Sequence, residues 1–378
     1  MAIPNDLRQM NRRQVLLASL RSGPTTRSAL SRATGISPPT TGKIVDELID
    51  DRVLRAAAGP VTPVQGPGRP GYLLVVDDVL PRFLAVQVGA VHTRLATLAV
   101  APVLRDVWSK VIPTPASRAQ WVASTAAAAR TLVRQPPMAL LVSLPGVLDE
   151  TTGRTLLSPN LPWMEGEAIA AALGEALDLP AYPVQEMHCL AMGHRAADPK
   201  ADNFLLVDFG IGIGSAAILN GGLARGPLPF AGEIGHTPVP GNSALCRCGG
   251  VGCLETLVGR RRLFGDGGAG LAGTDGDDAL APTDADGLIA SGAASRLRSA
   301  LQTAGLSIAS SMNTLGLDHA VITGFAADLP PDLFAILRES ISGAAIAARF
   351  GVVRTEAAPR HRLAGLASVG IDRCIAPA

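Results

Sequence analysis

Ala231-Gly-Glu-Ile-Gly-His236, nine further residues, and then Cys246-Arg-Cys248-Gly-Gly-Val-Gly-Cys253-Leu-Glu255 bring one imidazole and three thiols into a short span. Such a donor set makes a closed tetrahedral zinc site with metal–sulfur bonds of about 2.3 Å, and the intervening glycines let the backbone fold tightly around the ion. Four protein ligands leave no open position. Zn2+ held by His236, Cys246, Cys248 and Cys253 is therefore expected to be structural rather than hydrolytic. Three of the five cysteines fall within these eight residues. With no export signal ahead of them, the crowding favours metal over disulfides and a cytoplasmic location.

On either side of this zinc loop (236–253), short apolar runs alternate with Ala-rich helical stretches. Strands are expected at 83–88, 94–100, 138–143, 181–185, 204–209, 215–220 and 320–323, and helices at 117–134, 167–177, 191–196, 289–315 and 332–347. That alternation predicts an α/β fold with largely parallel sheets. The Gly/Asp/Ala-rich stretch 265–287 reads as a loop. Gly210-Ile-Gly212-Ile-Gly214 reads as a hairpin turn, since a glycine run alone is a weak phosphate-loop signal.

The first seventy residues have a different texture. Leu7, Val15, Leu16 and Leu20 have roughly helical spacing, and Pro24 stops that helix. A second helix fits 26–34, Gly35 supplies a tight turn, and Ser37 is placed to cap a third helix ending near Asp50. Ile44, Val45, Leu48 and Ile49 form its buried stripe, with Thr40, Thr41 and Lys43 on the other side. This is helix–turn–helix spacing, in which early polar residues of the last helix reach base edges. The DNA-contact candidates are Arg27, Ser37, Thr40, Thr41, Lys43 and Arg69. Arg69 sits in the Gly/Pro loop 66–71 between two expected wing strands, suited to a phosphate or a narrow minor groove.

Charge supports this division. The chain has 378 residues, enough for two or three domains, and a formal net charge of only +1. Residues 1–71 carry ten basic and five acidic side chains, while the remainder carries 23 basic and 27 acidic. A basic nucleic-acid module joined to a near-neutral body accounts for the asymmetry. No apolar stretch is long enough to span a bilayer. Thirty arginines against three lysines suit a GC-rich bacterial genome.

Taken together, these segments resemble the ROK family (repressor, open reading frame, kinase). The resemblance rests on Ala231–His236 with the cysteine cluster ending in Cys253-Leu254-Glu255, and on the glycine-rich Asp208–Gly226 segment. Leu144–Asp149, Ser158–Pro162 and the Gly68-Arg69-Pro70 wing add to it. It implies an actin-like, sugar-kinase-like domain of two α/β lobes (77–378, dividing near 190–200), preceded by an α+β winged helix-turn-helix domain (1–76). It also implies that Asn160, Glu233, His236 and Glu255 hydrogen-bond a sugar, with His188 beside them, and that the protein is a homodimer or dimer of dimers on operator DNA.

The family's kinases carry an Asp-x-Gly-Gly-Thr turn for the ATP phosphates and a Glu-Asn-Asp segment whose Asp is the base. Here these read Gln87-Val-Gly-Ala-Val91 and Glu186-Met-His188. Phosphoryl transfer depends on metal-held phosphates and electrostatic positioning. The expectation is therefore a non-catalytic, bacterial DNA-binding repressor of carbohydrate metabolism with a small-molecule effector, for which the resemblance implies a sugar or sugar derivative. The alternatives are an ATP-dependent sugar kinase, a ligand-independent DNA-binding protein and a scaffold that does not bind DNA.

Overall fold

The computed structural model describes residues 4–57, 72–100, 103, 105–259, 263 and 294–375. The 66–71 loop with Arg69 and the 265–287 stretch lie outside them.

Three helices and a short β-ribbon come first: α1 (Pro4–Ser22), α2 (Arg27–Thr34), α3 (Pro38–Asp50), β1 (Leu54–Ala56) and β2 (Leu74–Val76). Thr26 caps α2 by accepting from the Ala29 N–H at 3.2 Å, and Gly35 ends it at φ 70°. Pro38 opens α3, where a missing N–H costs nothing. Ser37 does precede α3, but its hydroxyl bonds Thr40 Oγ1 at 2.8 Å and caps no backbone N–H. Ile44, Val45 and Leu48 pack with Val15, Leu16 and Leu30. Leu7, expected in the same stripe, is 55% exposed. Apolar burial on α1 begins at Val15, and nearer its start Arg8 and Arg12 meet Glu47 of α3 through ion pairs instead.

The body holds two five-stranded sheets. The first runs in the order β5-β4-β3-β6-β9, from β3 (Phe83–Val88), β4 (His92–Leu98), β5 (Lys110–Pro113), β6 (Ala139–Leu144) and β9 (Ala181–Gln185). Between them lie α4 (Arg118–Leu132), the hairpin β7 (Val147–Asp149) and β8 (Arg154–Leu157), and α5 (Ile169–Leu177). After α6 (Glu186–Ala197), the second sheet follows as β12-β11-β10-β13-β14, from β10 (Phe204–Phe209), β11 (Ile213–Leu219), β12 (Gly222–Leu223), β13 (His319–Gly324) and β14 (Arg354–Ala357). The short α7 (Glu255–Val258), then α8 (Ala294–Leu315), α9 (Pro331–Ala344) and α10 (Arg362–Gly370), complete the lobes.

Both sheets share one plan: three antiparallel strands joined by hairpins, then two strands parallel to the first. The expectation of largely parallel sheets is corrected by the two meanders, whose outer strands β5 and β12 are too short to stand out in the sequence. Strands β3, β6, β10 and β13 are buried along their whole length, which is why they read as continuous apolar runs.

Helices α6 and α10 carry the chain between the lobes and cross at close range. A Cβ on Gly193 would run into the His361 carbonyl, and one on Gly365 into that of Cys189. The winged unit is seated on this crossing. Its core is continuous with Phe83, Leu363 and Ile371. Arg12 Nε donates to the Ile375 carbonyl at 3.0 Å, and Arg13 pairs with Asp372 at 2.8 Å.

Candidate functional site

The hairpin β10–β11, the loop leading to His236 and the ends of β3 and α6 converge on a cleft of about 150 Å3 between the lobes. Four of the five expected ligand residues line it: Asn160, Glu233, His236 and Glu255. Glycine makes the packing possible. Gly232 sits at φ 93° and a Cβ there would strike the Ser215 carbonyl, while a Cβ on Gly212 would strike the Glu255 carboxylate. Glu255 accepts from the Ile213 N–H at 3.1 Å, which anchors it to the hairpin. Burial pushes the carboxyls of both Glu233 and Glu255 above the ordinary range, with His236 pulling the other way.

His188 is placed differently. It lines an adjoining cavity beside β11 and α8 that shares Glu233 with the cleft, and its Nδ1 lies 3.0 Å from Glu150. Glu150 also accepts from the Gln185 N–H at 3.0 Å and pairs with Arg225 at 2.6 Å, so a lobe-one hairpin is tied to lobe two and to α6. Burial alone would raise the Glu150 carboxyl, but hydrogen bonds and charge from His188, then Gln185 and Arg225, hold it at about 2. A second contact joins the lobes where Arg247 donates to Asn160 Oδ1 at 2.9 Å. Neither Glu150 nor Arg225 stands out in the sequence, since nothing local links positions 75 apart. Arg247 could have been noticed, because it lies between two of the cysteines.

The floor of the cleft carries two further ion pairs. Asp208 accepts from Arg360 Nε at 2.6 Å, from Arg360 Nη2 at 2.8 Å and from Thr323 Oγ1 at 2.7 Å. Arg362 donates to Glu186 at 3.0 Å. Gln87, at the position of the expected lost acid, is buried and accepts from Arg94 at 2.9 Å.

His236, Cys246, Cys248 and Cys253 bring their donor atoms within 4.8 Å of one another, and this group could hold a metal ion. The Cys248 and Cys253 sulfurs are 3.8 Å apart, and His236 Nδ1 is 3.7 Å from the Cys246 sulfur. A tetrahedron with metal–sulfur bonds of about 2.3 Å has an edge of about 3.8 Å, so the donors fit the ion. His236 Nε2 lies on the other side, 3.7 Å from Glu233. One ring thus faces both the metal cluster and the cleft, which reconciles its two expected duties.

On the winged unit, Ser37, Thr40 and Lys43 are exposed at the start of α3. Thr41 is withdrawn from the DNA-contact set: it is fully buried, and its hydroxyl donates to the Ile36 carbonyl at 3.2 Å. Position 41 lies one residue past the exposed face and precedes the stripe residues Ile44, Val45 and Leu48 by helical spacing. Arg27 is half-buried, pairing with Asp46 at 2.5 Å, bonding Tyr72 Oη at 2.6 Å and lying 5.5 Å from that ring's centroid. It braces α2 against α3 and the wing. No helix among the described residues is long and apolar enough to cross a membrane.

The crystal structure of a ROK family transcriptional regulator, a homolog of the E. coli MLC protein, superposes with a TM-score of 0.76 at 20% identity, over 96% of this chain and 94% of that one. A ROK family glucokinase from Streptomyces griseus, in complex with glucose and AMPPNP, gives 0.61 at 19% identity over 75% of this chain and 96% of that one. These likenesses are of fold, and the first extends through the winged unit. In sequence, the xylose repressor of Caldicellulosiruptor bescii is 26% identical over 268 residues, covering 68% of this chain and 66% of that protein, just under two thirds of its length. The model of the ROK family matches residues 84–358, a span that takes in both sheets, the glycine hairpin and the whole metal cluster, and the chain belongs to that family.

Proposed function

We propose that this chain is a DNA-binding transcriptional repressor whose effector, a sugar or sugar derivative, binds the cleft without phosphoryl transfer. The carrying observation is the exposed start of α3. Ser37, Thr40 and Lys43 face solvent on a helix–turn–helix that is itself tied to the turn just after α10 through Arg12 and Arg13. A polar helix start on a rigid seat suits the major groove. The name of the Caldicellulosiruptor relative, a xylose repressor, points the same way. Arg69 serves as a wing contact in this reading, and a homodimer or dimer of dimers sets two α3 helices about 34 Å apart on operator DNA.

In the cleft, Glu233, Glu255, Asn160 and His236 Nε2 offer acceptors and donors for hydroxyls. Effector hydroxyls at Asn160 compete with Arg247, so binding exchanges a contact between the lobes for a contact with ligand. That difference between states is what a ligand needs to shift lobe closure. Zn2+ at His236, Cys246, Cys248 and Cys253 supplies structural cross-linking and holds Arg247 opposite Asn160. Phosphoryl transfer is disfavoured because Gln87 offers an amide engaged by Arg94 where kinases have a free acid, and His188 is held by Glu150.

The test is duplex binding to the gene's own upstream DNA, titrated across salt. Wild type is expected to bind selectively, and Lys43→Ala with Arg69→Ala to weaken binding about tenfold or more and reduce the salt slope. Equal, weak binding to every duplex, unchanged by the double variant, would overturn the repressor reading. ADP release above background with glucose, xylose or N-acetylmannosamine would restore the kinase.

A further inference from the structure

A second cavity, of about 470 Å3, lies where α1 of the winged unit meets α6, β12 and the end of α10. Its apolar wall includes Leu17 and Leu20 from α1, Met192 from α6 and Leu223 from β12. Four arginines are also among its described lining residues, Arg13, Arg21, Arg195 and Arg225, against one acid, Asp372. Asp372 is taken by Arg13. Arg195 and Arg225 pair with Asp202 and Glu150, acids that do not line the cavity. The Arg195 Nε is buried and meets no acceptor among the described residues. An apolar wall with an excess of fork-shaped cationic donors selects a particular ligand chemistry: an apolar body carrying a carboxylate.

We propose that this seam is a second ligand site, separate from the sugar cleft, for an organic carboxylate with an aromatic or aliphatic body. The carboxylate is received by Arg195 and Arg225, and the body lies between Leu17 and Leu20 on one side and Met192 and Leu223 on the other. Two consequences follow from the position. The ligand touches α1, so it acts directly on the seat of the winged unit. It also draws on Arg225, whose present partner is Glu150, so its binding loosens a contact that joins the lobes. Binding itself does not depend on the repressor reading; only its effect on DNA does.

The test uses the full chain and 4-benzoylbenzoate, a photoreactive aromatic carboxylate, with 4-benzoylbenzamide as its uncharged counterpart. The carboxylate is expected to bind at least about tenfold more tightly than the amide, equivalent to about 1.4 kcal/mol. Irradiation is expected to cross-link it to peptides of α1 and α6. Arg195→Gln is expected to erase the preference for the carboxylate, and Leu17→Trp to fill the cavity and abolish binding of both. Circular dichroism and melting of each free variant confirm that it folds. No saturable binding, equal affinity for acid and amide, or cross-links confined to the cleft between the lobes would overturn the proposal. If the carboxylate binds at the seam but operator affinity does not change, the site stands and its link to DNA falls.

Discussion

The two sheets follow the same plan, yet at one matching position they differ in charge. Gln87 is the fifth residue of β3 and Asp208 the fifth residue of β10. Each lies in register with a hydroxyl residue on the parallel neighbour, Ser143 for Gln87 and Thr323 for Asp208. In lobe two the acid is retained and clamped by Arg360 and Thr323. In lobe one an amide meets Arg94 across the hairpin. The hairpin turns diverge accordingly: in lobe two Gly212 and Gly214 bring the backbone against Glu255 and Met187, whereas the first turn carries Ala90 and Val91. A shared backbone plan thus preserves the register of a site without preserving its chemistry.

Breaking the lobe-two clamp is expected to have the largest effect. Asp208→Asn removes the charge that faces a guanidinium only 7% exposed, and the cost should be about 3–5 kcal/mol in urea unfolding. A loss below about 1 kcal/mol would mean that the charge of Asp208 is not what sets the two lobes apart. The His/Cys loop, which among the described residues only lobe two possesses, comes next. Cys253→Ser should remove the zinc measured by atomic absorption and lower the melting temperature by roughly 6–12 °C, corresponding to about 3 kcal/mol. Unchanged metal content would take the cysteine cluster out of the coordination reading.

Acid should then act on the contact between lobes. Glu150 has its carboxyl held at about 2 rather than the ordinary 4.5, so its contribution to stability is present above 4.5 and fades as the pH falls toward 2. Wild type should therefore lose up to about 3 kcal/mol relative to Glu150→Gln between pH 6 and pH 2, with most of that difference gone only below pH 4. Parallel stability profiles would show that Arg225 and His188 do not hold Glu150 in solution. The smallest change is expected from restoring an acid to lobe one. Gln87→Glu gives Arg94 a charged partner in place of an amide it already bonds, and stability should shift by less than about 1 kcal/mol. A larger gain would show that the missing acid, more than the altered turn, separates the lobes.

Much of this molecule was legible in order of sequence. The three N-terminal helices, most strands and the gathered His/Cys cluster follow from periodicities of 3.6 and 2 and from donors set close together, all of them local properties. The ends of α3 and of β3, β9 and β10 were placed closely because Pro, Gly and apolar runs mark them. What lies beyond local pattern was settled by tertiary structure. Thr41 turned inward because α3 packs on Ile36 as well as along its apolar stripe. His188 is drawn toward Glu150, which lies 38 positions earlier on the hairpin of the first lobe. Arg247 reaches Asn160 across 87 positions, and Arg360 reaches Asp208 across 152. The sequence by itself determined which elements form and which donors can gather around a metal, since neighbours along the chain impose both. Only the packing of the two lobes decided which charges meet, because those pairs exist solely where distant loops are brought within hydrogen-bonding distance and shielded from water.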